Sequence, residues 1–149
     1  MEYTTKCFIE RPIEEVIAVF EDTSKLKDWQ RGLISSELIK GEAGEVGSKR
    51  RLKILLEGQK INMIETIIHK NLPHEWHGRY TSKGLESIQK NFFTVEKNNQ
   101  TKWVSESKFT FSGWMLLISK VLPQVFKNRS ELVMKDFKNF IENGISVAK

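Results

Sequence analysis

The sequence predicts an α+β fold in which a curved antiparallel sheet of about seven strands wraps around a long C-terminal helix, with two short helices following the first strand. Three observations carry this prediction. From Leu33 to Ser112 apolar residues alternate with period two, and turn residues recur every eight to fourteen positions, the pattern of an antiparallel meander. The last 35 residues switch to helical spacing. The chain's 149 residues suit one domain, 1–149, with a core that needs neither metal nor disulfide.

The elements follow in order. Tyr3 to Glu10 reads as a strand that ends at a proline. Pro12, with Glu14 and Glu15 in the first turn, starts a helix through Phe20 whose apolar face holds Val16, Ile17 and Phe20. A second short helix is capped by Asp22, Thr23 or Ser24, carries Leu26 and Trp29, and stops at Gly32. Six strands follow, at 33–40, 49–57, 60–70, about 75–80, 85–96 and 101–112. Leu52, Ile54 and Leu56 share one face of the second of these, while Lys49, Arg51 and Lys53 share the other. In 60–70 both faces carry apolar residues, so alternation leaves the inward face open. Leu117, Val121, Val125, Leu132, Phe137 and Phe140 mark the final helix, and Pro123 bends or breaks it, leaving 124–142 as its stronger part.

Composition narrows the function classes. A 39% apolar content with nine Phe and four Trp excludes intrinsic disorder. The net charge of +5 is a mild basic excess, and three of the charges in Lys49, Arg50, Arg51 and Lys53 fall on one outward strand face, so no nucleic-acid partner is expected. Cys7 stands alone, which excludes an internal disulfide and any cysteine-based zinc cluster. No stretch has the length of a membrane helix and no export signal opens the chain, so the expected location is the cytoplasm, without integral membrane association.

The order strand, two short helices, six strands and long helix resembles the START-like superfamily, also called SRPBCC, which includes polyketide cyclase-like proteins and the birch pollen allergen. Five segments carry the resemblance: Ile9 to Val16, Trp29, Gly44 to Arg50, Thr101 to Ser105, and Leu132 to Glu142. It covers nearly the whole chain and implies a helix-grip fold with a cavity between sheet and helix for an apolar or amphipathic small molecule. None of these segments is catalytic.

Within that frame, the expected cavity residues are Trp29, Leu52, Ile54, Met63, Glu65, Trp76, Tyr80, Phe93, Trp103, Ser105, Ser107, Phe109, Val125, Arg129 and Phe137. Ser105 and Ser107 interrupt an aromatic strand face that also holds Trp103, Phe109 and Phe111, which leaves room and hydrogen-bonding groups for a ligand. Gln89 and Asn91 neighbour them if their own face is inward, and Arg129 is a candidate partner for Glu65. The glycine-rich turn 41–48 lacks a phosphate-loop ending and reads as a hairpin connection. His69, His74 and His77 do not have metal-ligand spacing, so no metal and no cofactor is expected. Trp114 to Ile118 reads as a helix start packed on the sheet in preference to a mobile lid over the cavity mouth.

The function expected is binding or carriage of a small apolar or amphipathic ligand, and the sequence leaves open whether any reaction is catalysed. The alternative is a cyclase- or dehydratase-type enzyme using Glu65 or His69 as base. A second alternative is a regulatory module that docks an anionic partner through Arg51 and Lys53.

Overall fold

The computed structural model describes residues 1–149, apart from the side chain of Ile118. Strand β1 (Glu2–Ile9) leads through Pro12 into α1 (Ile13–Glu21), whose first-turn Glu14 and Glu15 complement the positive helix end and whose inner face buries Ile13, Val16 and Ile17. Asp22 accepts the Ser24 N–H at 3.0 Å and caps a 3-10 turn, Thr23–Lys25, which runs into the one-turn helix α2 (Leu26–Trp29). Trp29 is the residue that α2 delivers to the core.

Six strands follow: β2 (Leu33–Lys40), β3 (Lys49–Leu56), β4 (Gln59–Asn71), β5 (Glu75–Ser82), β6 (Leu85–Val95) and β7 (Thr101–Phe111). With β1 they form one antiparallel sheet in the order β1-β7-β6-β5-β4-β3-β2. Every step from β2 to β7 is a hairpin. The two helices carry the chain from β1, at one edge, to β2 at the other. A 3-10 segment, Gly113–Ile118, precedes α3 (Leu122–Asn143). Pro123 lies in the first turn of α3, where its missing N–H costs nothing, so it starts this helix and does not interrupt it. Gly144, at φ 69°, closes α3 by donating to Phe140 O at 2.9 Å.

The helix is pinned along its length. Near its start Tyr3 Oη lies 2.7 Å from Ser130 Oγ. In the middle, Arg31 Nε and Nη2 each donate at 3.0 Å to the buried carboxylate of Asp136. At its end, the Glu142 carboxylate accepts from the Glu10 N–H at 2.9 Å and from Lys138 Nζ at 2.7 Å. Burial raises the Glu142 pKa, but these two donors together with the charges of Lys138 and Arg11 outweigh it and hold the group below the usual carboxylate range.

Two apolar clusters fill the ends of the grip. One packs Ile9, Val16, Trp29, Phe93, Trp103 and Phe137; the other packs Leu85, Phe109, Met115 and Phe126. The first contains Phe93 and Phe137, which corrects their expected place on a cavity wall: the Phe93 ring stacks on Trp103 at 5.7 Å, Phe137 meets Trp29 at 4.9 Å, and neither ring faces open space.

Two local irregularities set side-chain directions. Ile68 is an extra residue in β4, because Ile67 pairs with Gly78 and His69 with His77. The bulge exchanges the faces of the strand beyond it. Ile61, Met63, Glu65 and Ile67 point inward, whereas His69 turns to the outer face and Lys70 to the inner one. Gly78 is the second: a Cβ there would come within 3.0 Å of the Trp76 ring and 3.2 Å of the Tyr80 ring, so its absence lets these two rings converge.

The segment after β7 departs from expectation. Among its described side chains Met115 is buried, while Trp114, Leu116 and Leu117 are exposed. A 3-10 turn directs its successive side chains to three sides, so only one of them reaches the sheet. Among the described residues, no helix is long and apolar enough to cross a membrane.

Candidate functional site

A cavity of about 210 Å³ lies between the inner face of the sheet and α3. Its apolar walls come from β3 (Leu52, Ile54, Leu56), β4 (Ile61, Met63, Ile67), α2 with its preceding turn (Leu26, Trp29) and α3 (Phe126, Val133, Met134), with Phe20, Trp76, Trp103 and Phe109. Polar groups are set into this wall in two rows that the strand register defines.

The first row crosses three strands. Arg50 of β3 is registered with Glu65 of β4, and Glu65 with Tyr80 of β5. All three line the cavity. Burial raises the Glu65 pKa above the usual carboxylate range, and the Tyr80 hydroxyl and Arg50 charge offset this only in part. Burial, then the charge and hydrogen bonding of Glu65, push the Tyr80 phenol well above its ordinary value. The row therefore presents a carboxyl group that is more readily protonated than a surface glutamate, between a phenol and a guanidinium.

The second row runs through β6, β7 and β1, where Gln89 is registered with Ser107 and Ser107 with Tyr3. One pair along, Ser105 faces Thr5. Thr5 Oγ1, Ser105 Oγ and Trp29 Nε1 are buried, line the cavity, and have no hydrogen-bond partner among the described residues. Trp29 belongs with the other two because its ring packs edge-on against Trp103, two residues along β7 from Ser105. Native proteins rarely leave buried polar atoms unpartnered, and the Thr5 and Ser105 hydroxyls, registered across β1 and β7, with the Trp29 indole N–H from α2, give the cavity lining polar recognition groups.

Of the fifteen residues expected from the sequence, twelve line the cavity: Trp29, Leu52, Ile54, Met63, Glu65, Trp76, Tyr80, Trp103, Ser105, Ser107, Phe109 and Arg129. Phe93 and Phe137 lie in the solid core, and Val125 is half-buried off the lining. Arg129 does not meet Glu65. It donates to the Arg31 carbonyl at 2.7 Å, and burial lowers its pKa. Gln89 does face inward, while Asn91 is occupied, accepting the Trp103 indole N–H at 2.9 Å. Arg50, Tyr3, Thr5, Ser87 and Ser130 were missed. Alternation could have found Arg50, which shares the face of Leu52 and Ile54. The contribution of Tyr3 and Thr5 depends on which strand β1 joins, and no local pattern shows that.

His69 is lost as a cavity base, since the β4 bulge sends it to the outer face. There it stacks on His77 at 5.0 Å, and the ligand atoms of His69, Glu75 and His77 come within 4.8 Å of one another. His77 is buried on this outer face because Phe92 packs on its ring. The Asn91 backbone N–H donates to His77 Nδ1 at 3.2 Å, so the proton sits on Nε2, which lies 3.1 Å from Glu75 Oε1. That proton occupies the lone-pair direction a metal would need, and His69 Nε2 lies 3.7 Å from the other oxygen of Glu75. On the same face Arg51 pairs with Glu37 at 2.6 Å and Lys49 donates to Thr66 at 2.9 Å, which reduces the basic surface expected there.

No protein-family model matches the sequence, and no curated protein is significantly similar to it. Solved structures match closely in shape. The Zhui aromatase/cyclase of a Streptomyces species superposes with a TM-score of 0.79 at 12% identity, over 97% of both chains. A START superfamily protein from Mycobacterium smegmatis gives 0.78 at 11% identity, over 95% of this chain and 97% of that one. Ara h 8.0201 gives 0.75 at 14% identity, again over 95% and 97%. With its seven-stranded antiparallel sheet closed around a long C-terminal helix, the chain has a helix-grip fold, the fold of these solved structures.

Proposed function

We propose that the protein binds a compact amphipathic ligand, an apolar body carrying oxygen functions, between the sheet and α3. One observation carries this reading: an apolar cavity of about 210 Å³ whose lining holds three buried polar atoms without hydrogen-bond partners among the described residues. An indole N–H can only donate, whereas hydroxyls donate or accept, so a carbonyl, carboxyl or phenol oxygen satisfies the set. The Arg50, Glu65 and Tyr80 row supplies a second polar contact. The cavity is smaller than the ~300–1,000 Å³ common for drug-sized ligands, which favours a single ring system or a short chain. Likeness to Ara h 8.0201 and to the START superfamily protein supports the fold on which such a site is built.

The test is extraction of natively purified protein with organic solvent, followed by mass spectrometry, alongside thermal shift with fatty acids, sterols and polyketide-like aromatics. A stoichiometric extract or a saturable shift is expected. Absence of both across the panel overturns the reading.

A second reading, catalysis of the cyclase or dehydratase type, rests on Glu65. It is a carboxyl group held inside a water-poor cavity with its pKa raised toward the range of a general base, on the fold of an aromatase/cyclase. Under this reading E65Q retains ligand binding and loses turnover of poly-β-keto substrates. Equal turnover by E65Q removes it.

A further inference from the structure

The segment between β7 and α3 presents an apolar surface that the cavity reading does not use. Trp114 is 58% exposed and Leu117 86%, and Leu116 and Val121 are exposed beside them. Met115 points the other way, into the cluster of Leu85, Phe109 and Phe126. Gly84, in the β5–β6 turn, has φ 79°, and a Cβ there would meet Met115 Cγ at 2.6 Å, so that turn lies directly against the segment. The apolar side chains are thus held out on a packed base. Concentrated exposure of this kind marks a contact surface.

Charge identifies what it contacts. From Ser107 to Ser130 there is no Asp or Glu, the longest such run in a chain with 19 acidic residues, while Lys108, Lys120 and Lys127 lie within it. Lys83 adds an exposed positive charge on the turn that abuts Met115. The carboxylates on the turns and strands at this end are Glu2, Glu57 and Glu86; Glu2 lies 4.0 Å from Lys108 and Glu86 3.6 Å from Arg79, which leaves Lys83 and Lys120 as the exposed charges nearest the patch. Exposed Trp and Leu flanked by lysines suit the interfacial zone of an anionic bilayer, where indoles settle at headgroup depth and each lysine adds attraction. A second copy of the chain suits it less. Four side chains on a short segment fall well below the ~800 Å² per partner of a stable interface, and the flanking charges repel.

We propose that Trp114, Leu116, Leu117 and Val121 dock the protein on an anionic lipid surface, with Lys120 and Lys83 facing the headgroups. This stands whatever the cavity holds. Trp29, Trp76 and Trp103 are buried, so a change in tryptophan emission on adding vesicles reports Trp114.

The experiment is co-sedimentation and fluorescence of the whole protein with phosphatidylcholine vesicles, with and without phosphatidylglycerol. Expected are pelleting and a blue shift with the anionic vesicles, weakened by salt. The double variant L116S/L117S should lose both. K120E should bind roughly tenfold more weakly. The exposed positions leave thermal stability unchanged in both variants. Absence of pelleting and of a blue shift at low salt overturns the proposal, as does full binding by L116S/L117S. Concentration-dependent dimerisation that L116S/L117S abolishes also overturns it, because the patch then serves a second copy.

Discussion

Removing the unpartnered hydroxyls of Thr5 and Ser105 should raise stability and lower affinity together. Thr5 Oγ1 and Ser105 Oγ are buried, registered across β1 and β7, and lack hydrogen-bond partners among the described residues. A buried polar group left unsatisfied costs about 1–3 kcal/mol. Thr5→Val is nearly isosteric and Ser105→Ala removes one oxygen from a wall that already borders open volume, so neither adds a large cavity term. At the lower end of that cost, each variant gains about 1 kcal/mol and the pair about 2. In a domain of this size that moves Tm up by about 4–8 °C. Each hydrogen bond to ligand contributes about 0.5–1.5 kcal/mol, so the double variant should bind roughly 10- to 100-fold more weakly. Because the residues face each other, both single variants are needed to measure their coupling. Thermal denaturation of the free protein and calorimetric titration with the extracted ligand read the two effects. A fall in Tm would show that the hydroxyls are already satisfied in the free protein, and an unchanged affinity would show that the ligand does not use them. Either result refutes the recognition point.

Three further outcomes are expected. Burial raises the Glu65 pKa, so the protonated form favours the folded state; this contribution is complete below the unfolded value of about 4.3 and is lost as pH rises through the native one, so E65Q should gain stability relative to wild type between pH 4 and pH 8, and a flat difference in thermal scans would contradict the burial. Arg31→Ala leaves the buried Asp136 carboxylate without its two-pronged partner and should cost about 2 kcal/mol in urea unfolding, with Arg31→Lys recovering only part; a loss under about 0.5 kcal/mol would mean that the Arg129 charge suffices. Lys70 binds Glu21 at 2.6 Å and the Gly44 carbonyl at 2.7 Å, strapping together two residues of the cavity lining, so Lys70→Ala should speed ligand exchange several-fold in stopped-flow with a stability change below about 1 kcal/mol; identical rates would show that this end is not a passage.

Most of the architecture is legible in the sequence because it rests on local rules. Alternation in 49–57 put Leu52 and Ile54 on the cavity wall, and the same alternation in 101–112 placed Ser105 and Ser107 among aromatics. Pro12 marked a helix start, while Pro123 read as a bend or break and proves to lie in the first turn of α3, after a separate 3-10 segment. Outside those rules the reading lost information. The extra residue at Ile68 follows from how β4 and β5 pair, and it moved His69 out of the cavity and Lys70 to its inner side.

By itself, the sequence determined the number, type and order of the elements and the inward faces of the regularly alternating strands, because these depend on periodicities that each segment carries alone. Only the tertiary structure decided what those faces enclose. Phe93 and Phe137 read like cavity residues and became solid core because other rings converge on them. Glu65 gained its neighbours Arg50 and Tyr80 from strand register. Trp114, Leu116 and Leu117 read as packed and stand in solvent because a 3-10 turn can bury only one of its sides. Packing and register join residues distant in the chain, and a local pattern does not contain those pairings.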